Sequence, residues 1–179
     1  MQDRRQDIIE SAIAILREFG YAGLTQPRVA KALDMRQSHI TYYFPTRLDL
    51  LKAVARAAID RQLAGFDMLM GSAPRDQIGA RIAALISRKE NTRVLLALVQ
   101  GADQEPELRV LFRELASGMI ERGRALFPEA TDDTAAYFLH ALSVGLAIVD
   151  LATDREGGEA RATTLLNQAM TYYERGDEK

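Results

Sequence analysis

The sequence predicts an all-α protein, with an N-terminal three-helix domain that contains a helix-turn-helix and a larger C-terminal helical domain. Apolar residues recur three and four positions apart along most of the chain, which is the spacing of one helix face. The alternation typical of strands is not convincing in any segment. Gly, Pro and capping residues separate about nine helices. We place the domains at residues 1–47 and 48–179.

Residues 25–47 (TQPRVAKALDMRQSHITYYFPTR) predict two short helices joined by a tight turn. The first covers about residues 26–33, and the Thr25 hydroxyl is well placed to cap it. Asp34 occupies the turn, because Asp is one of the few non-glycine residues that accept a left-handed backbone with modest strain. The second helix covers about residues 37–44 and ends before Pro45. This arrangement is a helix-turn-helix.

The outward surface of the second helix is rich in hydrogen-bond donors. Ile40 and Phe44 form its apolar face, and none of the outward residues is acidic: Arg36, Gln37, Ser38, His39, Thr41, Tyr42 and Tyr43. Arg, Gln, Ser and Thr read base edges, and tyrosine hydroxyls and Arg reach phosphates. A face that is merely solvated should carry Glu and Lys instead. The pattern therefore favours DNA binding.

Residues 4–55 resemble the DNA-binding domain of the tetracycline-repressor (TetR) family of regulators. The resemblance rests on Ile8, Ile9, Ala12, Leu16, Phe19, Gly20, Tyr21, Thr25, Val29, Ala30, Ile40, Tyr42, Tyr43, Phe44 and the segment 47–51. Asp34 stands in place of the usual turn glycine, Thr41 where a phosphate-contacting tyrosine is common, and Arg47 in place of a frequent lysine. Beyond these residues only the length and the helical pattern fit.

The resemblance implies a transcriptional regulator, most simply a repressor, that binds an inverted-repeat operator in double-stranded DNA as a homodimer. A small-molecule effector of unknown class would release it. We assign base contacts to Gln37, Ser38 and His39, and a guanine or phosphate contact to Arg36. Thr25, Thr41, Tyr42, Tyr43 and Arg47 complete the DNA-binding set, Arg47 as a phosphate ligand at the start of the next helix, where Thr46 and Asp49 form a cap.

Further helices are expected near residues 74–88, 91–102, 106–126, 132–152 and 159–174. The segment 135–149 is apolar on nearly every side, which predicts that it is covered all round. We expect Phe138, Leu142, Leu146 and Val149 to face the chain's own body. Together with the last helix, the opposite face would form a two-fold dimer interface through Tyr137, Ala141, Val144, Ile148, Leu151, Leu165, Ala169 and Met170. A bundle closed within one chain is the alternative.

An effector site is expected between residues 63 and 119, where methionine and aromatic side chains suit an adaptable apolar cavity. The candidate lining residues are Phe66, Met70, Leu98, Phe112 and Met119, with Gln100 and Asp103 as polar anchors. The same stripe is also typical of an ordinary helical core, and the Gln100–Asp103 stretch of a helix end.

The composition points to a soluble cytoplasmic protein without a membrane partner. Its 179 residues include no cysteine, and no run of eighteen apolar residues or signal peptide is evident. The net charge is −2, but residues 1–56 hold nine Lys/Arg against six Asp/Glu, while the remainder holds fourteen against nineteen. The more positive segment is thus the one that carries the helix-turn-helix.

We expect no catalytic residue, metal site or cofactor. The two histidines, His39 and His140, lie in the helix-turn-helix and in the apolar helix, and neither belongs to a catalytic or metal motif. Two other classes stay open: a helical ligand-binding or scaffold protein without sequence-specific DNA binding, and a small helical enzyme. An activator or a constitutive repressor would keep the same fold and DNA site.

Overall fold

The computed structural model describes residues 3–71 and 73–175. Within these ranges the protein has nine α-helices and no strand, as predicted. The helices are α1 (Arg4–Gly23), α2 (Gln26–Ala32), α3 (Gln37–Tyr43), α4 (Arg47–Met70), α5 (Ile78–Ile86), α6 (Lys89–Gln104), α7 (Leu108–Arg124), α8 (Thr134–Thr153) and α9 (Gly158–Arg175). A 3-10 turn, Arg75–Gln77, precedes α5.

The described residues divide into two compact units. The first contains residues 3–61 and 93–112, and the second contains residues 62–71, 73–92 and 113–175. Helices α4, α6 and α7 each contribute residues to both units. The described part of the predicted N-terminal domain lies wholly in the first unit, which also takes in residues 48–61 and 93–112.

The core of the first unit fixes α3 in place. Among its most deeply buried side chains are Ile8 and Leu16 of α1, Ile40 of α3, and Leu50 and Leu51 of α4. Burying a side chain of this size contributes about 1.5–3 kcal/mol relative to leaving it exposed. The helix-turn-helix is therefore held by packing against both of the long helices that flank it in the sequence.

Helix α1 ends as its glycine predicts. The helical backbone breaks at Gly20, which has φ 67° and ψ −171°, and the chain continues as a further turn to Gly23. Only glycine adopts that combination without strain. At the other end, Asp3 caps the helix by accepting a hydrogen bond from the Arg5 N–H at 3.0 Å. The break turns Tyr21 and Leu24 inward, where both are buried.

The second unit is built on the packing of α5 and α8 against α9. Its core contains Phe66 of α4, Ile82 of α5, Leu139 of α8, and Leu166 and Met170 of α9. Gly79 of α5 lies directly against Asn167 of α9, and a side chain at position 79 would collide with the Asn167 amide. The two helices can therefore approach closely along this line.

Asp150 near the end of α8 lies against the start of α9. The sequence offered no account of an acidic residue at the negative end of a helix dipole. The carboxylate packs against Gly158 at the start of α9, and its Oδ1 lies 3.5 Å from Nη2 of Arg161. The carboxylate thus lies beside the positive N-terminus of α9 and near Arg161, while its Oδ1 is buried without a hydrogen-bond partner among the described residues.

Candidate nucleic-acid interface

The helix-turn-helix has the local geometry that the sequence predicts. The Thr25 hydroxyl oxygen accepts a hydrogen bond from the Arg28 backbone N–H at 3.3 Å and so caps α2. Asp34 lies in the turn with φ 51°. The turn is closed by a hydrogen bond of 2.9 Å from the Met35 N–H to the Ala30 carbonyl. The predicted left-handed aspartate is confirmed.

Two buried residues anchor α3 and leave the rest of its surface free. Ile40 and Phe44 are 0 % and 2 % exposed. All the predicted outward residues are exposed, namely Arg36, Gln37, Ser38, His39, Thr41, Tyr42 and Tyr43. Tyr42 and Tyr43 are in edge-to-face contact, with ring centroids 5.1 Å apart. The helix thus presents a continuous surface of hydrogen-bonding side chains on a rigid support.

The Thr41 hydroxyl is partly committed within the helix. It donates a hydrogen bond to the Gln37 carbonyl at 3.1 Å, which fixes its side-chain rotamer. The hydroxyl oxygen still has lone pairs with which to accept a hydrogen bond. Thr41 is therefore better suited to accept from a base amino group than to donate to a phosphate oxygen, the role that a tyrosine would have at this position.

The charge around the motif is positive. Residues 19–48 contain four basic residues, Arg28, Lys31, Arg36 and Arg47, and one acidic residue, Asp34. Farther back, Arg5 stacks on the Phe44 ring, with its guanidinium carbon 5.2 Å from the ring centroid. That contact places a further positive charge beside the C-terminal end of α3. Such a field attracts phosphate groups.

A hydrogen bond that the sequence did not reveal ties α2 to α3. Gln26 Nε2 donates to the Phe44 carbonyl oxygen at 2.6 Å. Gln26 begins α2, and Phe44 follows the last residue of α3. The bond therefore joins the two far ends of the motif and helps to fix the angle between its helices.

Arg47 has a role in the folded chain that was not predicted. Three of its nitrogens donate within the first unit: Nε to the Leu24 carbonyl at 2.8 Å, Nη1 to the Tyr21 hydroxyl at 2.8 Å, and Nη2 to the Tyr21 carbonyl at 2.7 Å. Its guanidinium carbon also lies 4.1 Å from the Tyr21 ring centroid. A phosphate contact by Arg47 stays a prediction, and it would have to use the N–H groups that remain.

The cap predicted at the start of α4 is present. Asp49 Oδ2 accepts hydrogen bonds from the Thr46 hydroxyl at 2.7 Å and from the Thr46 backbone N–H at 2.9 Å. The Asp49 N–H donates back to the Thr46 hydroxyl at 3.0 Å. These bonds from Thr46 hold the pKa of Asp49 below its usual value. The capping box fixes the helix end from which Arg47 projects.

The residues predicted at a dimer interface lie in two kinds of environment. Tyr137, Ala141 and Leu165 are exposed, and Val144, Ile148 and Leu151 are partly exposed. Ala169 and Met170 are only 9 % and 4 % exposed and are covered within the second unit itself. Of the residues predicted to face the chain's own body, Leu142 and Leu146 pack against the core, and Phe138, although 43 % exposed, contacts the Tyr173 ring of α9 with centroids 5.4 Å apart. The prediction is wrong for Val149, which is 59 % exposed. The buried face of α8 instead carries Ala135, Ala136, Leu139 and Ser143.

The residues predicted to line an effector site divide between the two units. Leu98 and Phe112 belong to the core of the first unit, where Gln100 and Asp103 are exposed. Phe66, Met70 and Met119 belong to the core of the second. Asp103 lies 3.8 Å from the Arg109 guanidinium, which gives the carboxylate a partner on the surface. Each apolar member thus has a packing role in its own unit.

Several known proteins are similar to this chain. Residues 8–54 match the family model of the bacterial regulatory proteins of the tetR family. The chain is 29 % identical over 186 residues to the HTH-type transcriptional regulator BetI 2 of Chromohalobacter salexigens, an alignment that covers 95 % of this chain and 90 % of that protein. The similarity to this relative thus extends across nearly the whole length of the chain.

Solved structures agree with this similarity. The multidrug binding protein EbrR complexed with malachite green is 28 % identical, with a TM-score of 0.70, covering 94 % of this chain and 98 % of that one. A TetR-family member from Streptomyces coelicolor A3 is also 28 % identical, with a TM-score of 0.74 and the same coverage. With its helix-turn-helix exposed and anchored as described, the protein carries over residues 8–54 the DNA-binding domain of the tetR family of bacterial regulatory proteins, and its similarity to transcriptional regulators extends over nearly its whole length.

Proposed function

We propose that the protein is a homodimeric repressor that binds an inverted-repeat operator and is released by a small molecule. The observation that carries this proposal is the outward face of α3, where every predicted contact residue is exposed and none is acidic. An α-helix with this surface fits the major groove of B-DNA. A cytoplasmic location goes with this function.

Within this face, Gln37, Ser38 and His39 are the proposed base readers, since they lie in the first turn of α3, the end that enters the groove in a helix-turn-helix. Arg36 precedes them and would read guanine or a phosphate. Thr25, Tyr42 and Tyr43 would hold the backbone, and Thr41 would complete the contact surface. Phosphate contacts set position and base contacts set specificity, so the two groups have different effects on binding.

A second copy of the chain is the proposed cover for α8. This helix is long and apolar enough to cross a membrane by length and composition, and only 22 % of its most apolar 18-residue window is buried. No Asp, Glu, Lys or Arg lies between Thr134 and Val149. Exposed Tyr137, Phe138 and Leu165 extend the apolar surface onto α9. A small regulator buries such a face most simply in a two-fold interface with α8 and α9 of a partner.

A two-fold dimer constrains the operator. Two copies of α3 in successive major grooves require half-sites about one helical turn, roughly 34–36 Å, apart. The operator should therefore read as an inverted repeat, with its symmetry axis on that of the protein.

The effector is proposed to bind in the helical body beyond the helix-turn-helix. The similarity to EbrR, which is complexed with malachite green, supports a small organic molecule in this role. The effector must bind the released form more tightly than the DNA-bound form. To invert a 99:1 population it needs a preference of about 5.5 kcal/mol between the two. Phe66, Met70, Leu98, Gln100, Asp103, Phe112 and Met119 remain the candidate contacts.

The test is selection of binding sites from a random DNA pool at about 0.15 M salt, followed by sedimentation of the protein with and without the selected DNA. We expect an inverted repeat bound by two chains. Binding without sequence preference, or no binding, would contradict the proposal and favour a helical ligand-binding or scaffold protein. The selected DNA would then serve as the probe for small molecules that release it.

A further inference from the structure

Tyr21 contacts residues of both α4 and α6 and lies just before the helix-turn-helix in the sequence. It lies just after the break at Gly20 and is 4 % exposed. Its ring packs against Gly101 of α6, where a Cβ would lie 2.8 Å from both Cδ2 and Cε2 of the ring. Real Cβ atoms do not approach other atoms so closely, so even a methyl group at position 101 would push the ring or the helix aside.

Arg47, at the start of α4, binds the same tyrosine. Its guanidinium lies over the ring, and it bonds both the hydroxyl and the carbonyl oxygen of Tyr21. A third bond, from Nε, reaches the Leu24 carbonyl. Because the guanidinium is planar and its donors have a fixed geometry, these contacts define one position of Tyr21 relative to the start of α4.

These contacts of Tyr21 and Arg47 are connected to the helix-turn-helix through Leu24 and Gln26. Leu24 is fully buried and immediately precedes Thr25, the residue that caps α2. Gln26 at the start of α2 bonds the Phe44 carbonyl at the end of α3. A displacement of the Tyr21 ring would therefore act on the first residues of α2 and α4, and through Gln26 on the end of α3.

We propose that Tyr21 is a positioning residue: through its contact with Gly101, the position of α6 influences the orientation in which α3 is held for DNA binding. The hydrogen bonds of Arg47 keep Tyr21 in place, and we call this role of Arg47 a clamp. The proposal rests on the DNA-binding function given above, and it assigns roles to three residues that do not themselves have to touch DNA. The coupling is local: all of its contacts lie within the first unit. Tyr21, and not the outward face of α3, is then where α6 acts on operator affinity.

The decisive variant is Gly101→Ala, with Gly65→Ala as the matched control. Both replace a glycine inside a long helix, so both gain the same helix propensity. A Cβ at position 65 meets only Leu85 Cδ1, at 4.0 Å, which is an ordinary contact. We expect Gly101→Ala to lower affinity for the selected operator about tenfold, a typical coupling between contacting residues. Gly65→Ala should bind as the unmodified protein does.

A double-mutant cycle separates coupling from general damage. Tyr21→Leu removes the ring that a methyl group at position 101 would displace. The double variant Gly101→Ala with Tyr21→Leu should therefore bind operator no more weakly than Tyr21→Leu alone. If the two losses multiply, or if Gly101→Ala binds like Gly65→Ala, the proposal is overturned. Circular dichroism and thermal melting restrict the comparison to folded variants.

Arg47→Lys gives an independent test should Gly101→Ala fail to fold. Lysine keeps the charge and is a good phosphate binder, but it cannot make three bonds in the geometry of a guanidinium. If Arg47 acts by holding Tyr21, the Arg47→Lys variant should bind operator clearly more weakly, and the salt dependence of binding should be unchanged. A phosphate contact predicts that the Arg47→Lys variant retains both affinity and salt slope, and that result would overturn the role given to Arg47.

Failure of the proposed function would look different. If the unmodified protein selects no operator, the function fails, and amide hydrogen exchange then decides the coupling. In Gly101→Ala we expect faster exchange at Leu24 and in the first turn of α4 than in Gly65→Ala. Equal exchange in the two variants would show that Gly101 and Tyr21 are not coupled to the motif.

Discussion

Gln26 and Phe44 are joined by a 2.6 Å hydrogen bond that connects the first residue of α2 to the residue that ends α3. The acceptor is a backbone carbonyl at a helix end, where no partner within the helix is available. The bond therefore supports the angle between the two helices of the motif as well as satisfying a partly buried group.

Gln26→Ala should destabilise the protein by about 1 kcal/mol, because it leaves the Phe44 carbonyl without its donor. Urea denaturation followed by circular dichroism measures the change. The control is Gln6→Ala, which also removes a glutamine hydrogen bond, to Glu10, but on the exposed surface of α1. A cost for Gln26→Ala no larger than that of the control would contradict a structural role for the bond.

Gln37→Ala should relax specificity at one base pair of each half-site, at a cost of roughly 1–3 kcal/mol. The reason is that the amide of an exposed first-turn glutamine can pair with a base edge. Tyr42→Phe is the comparison, since it removes a hydroxyl proposed to bind phosphate and should weaken binding to all sequences alike. Binding measured on operators with single base changes distinguishes them; a uniform loss from Gln37→Ala would refute its assignment as a base reader.

Val144→Glu should yield monomers that keep their helical content and lose operator binding. A carboxylate in the middle of the apolar α8 face would be buried without a partner in the proposed dimer. Val99→Glu is the control, because Val99 is an exposed valine on α6, outside the proposed interface. Sedimentation at micromolar concentration gives the answer, and a Val144→Glu dimer would place the interface elsewhere.

His140 should make the protein less stable in mild acid. Burial on α8 lowers the pKa of its imidazole from the ordinary 6.5. The unfolded chain then takes up a proton at higher pH than the folded chain does, so stability falls as the pH drops below about 6.5 and until it passes the folded pKa. Urea midpoints at about pH 7.5 and 5.5 should differ more for the unmodified protein than for His140→Gln.

The matched control for that experiment is His39→Gln, at an exposed position on α3. It removes the other histidine of the chain and keeps His140, so the pH dependence that it retains includes the whole contribution of His140. If His140→Gln retains the full loss between the two pH values, burial of His140 is not its cause.

Periodicity and residue chemistry were enough to predict the helix-turn-helix. Ile40 and Phe44 are spaced to face one way, and the donors around them could only face the other, so their exposure followed. The long-range hydrogen bonds that hold the helix-turn-helix could not be predicted from the sequence. Gln26 meets a carbonyl 18 residues away and Arg47 meets Tyr21 across 26 residues, and no local pattern encodes such pairings.

The apolar helix α8 shows the opposite difficulty. Val149 was assigned to the inner face but is 59 % exposed, and the buried positions are Ala135, Ala136, Leu139 and Ser143. A helix that is apolar all round has no polar stripe to mark its outer side, so the sequence does not say which face is inward. On α9 the sequence was similarly ambiguous: Met170 was predicted to contact a partner chain, yet its side chain is buried within its own chain.

The left-handed Asp34 leaves the motif short of the stability its backbone would allow. Glycine adopts a φ of 51° without the strain that a Cβ introduces, and Asp34 is exposed, so glycine would lose no packing there. The aspartate is also the one acidic residue between Glu18 and Asp49. Replacing it would remove a charge that repels phosphate. Glycine at position 34 would therefore relieve backbone strain and also make the charge of the motif more positive.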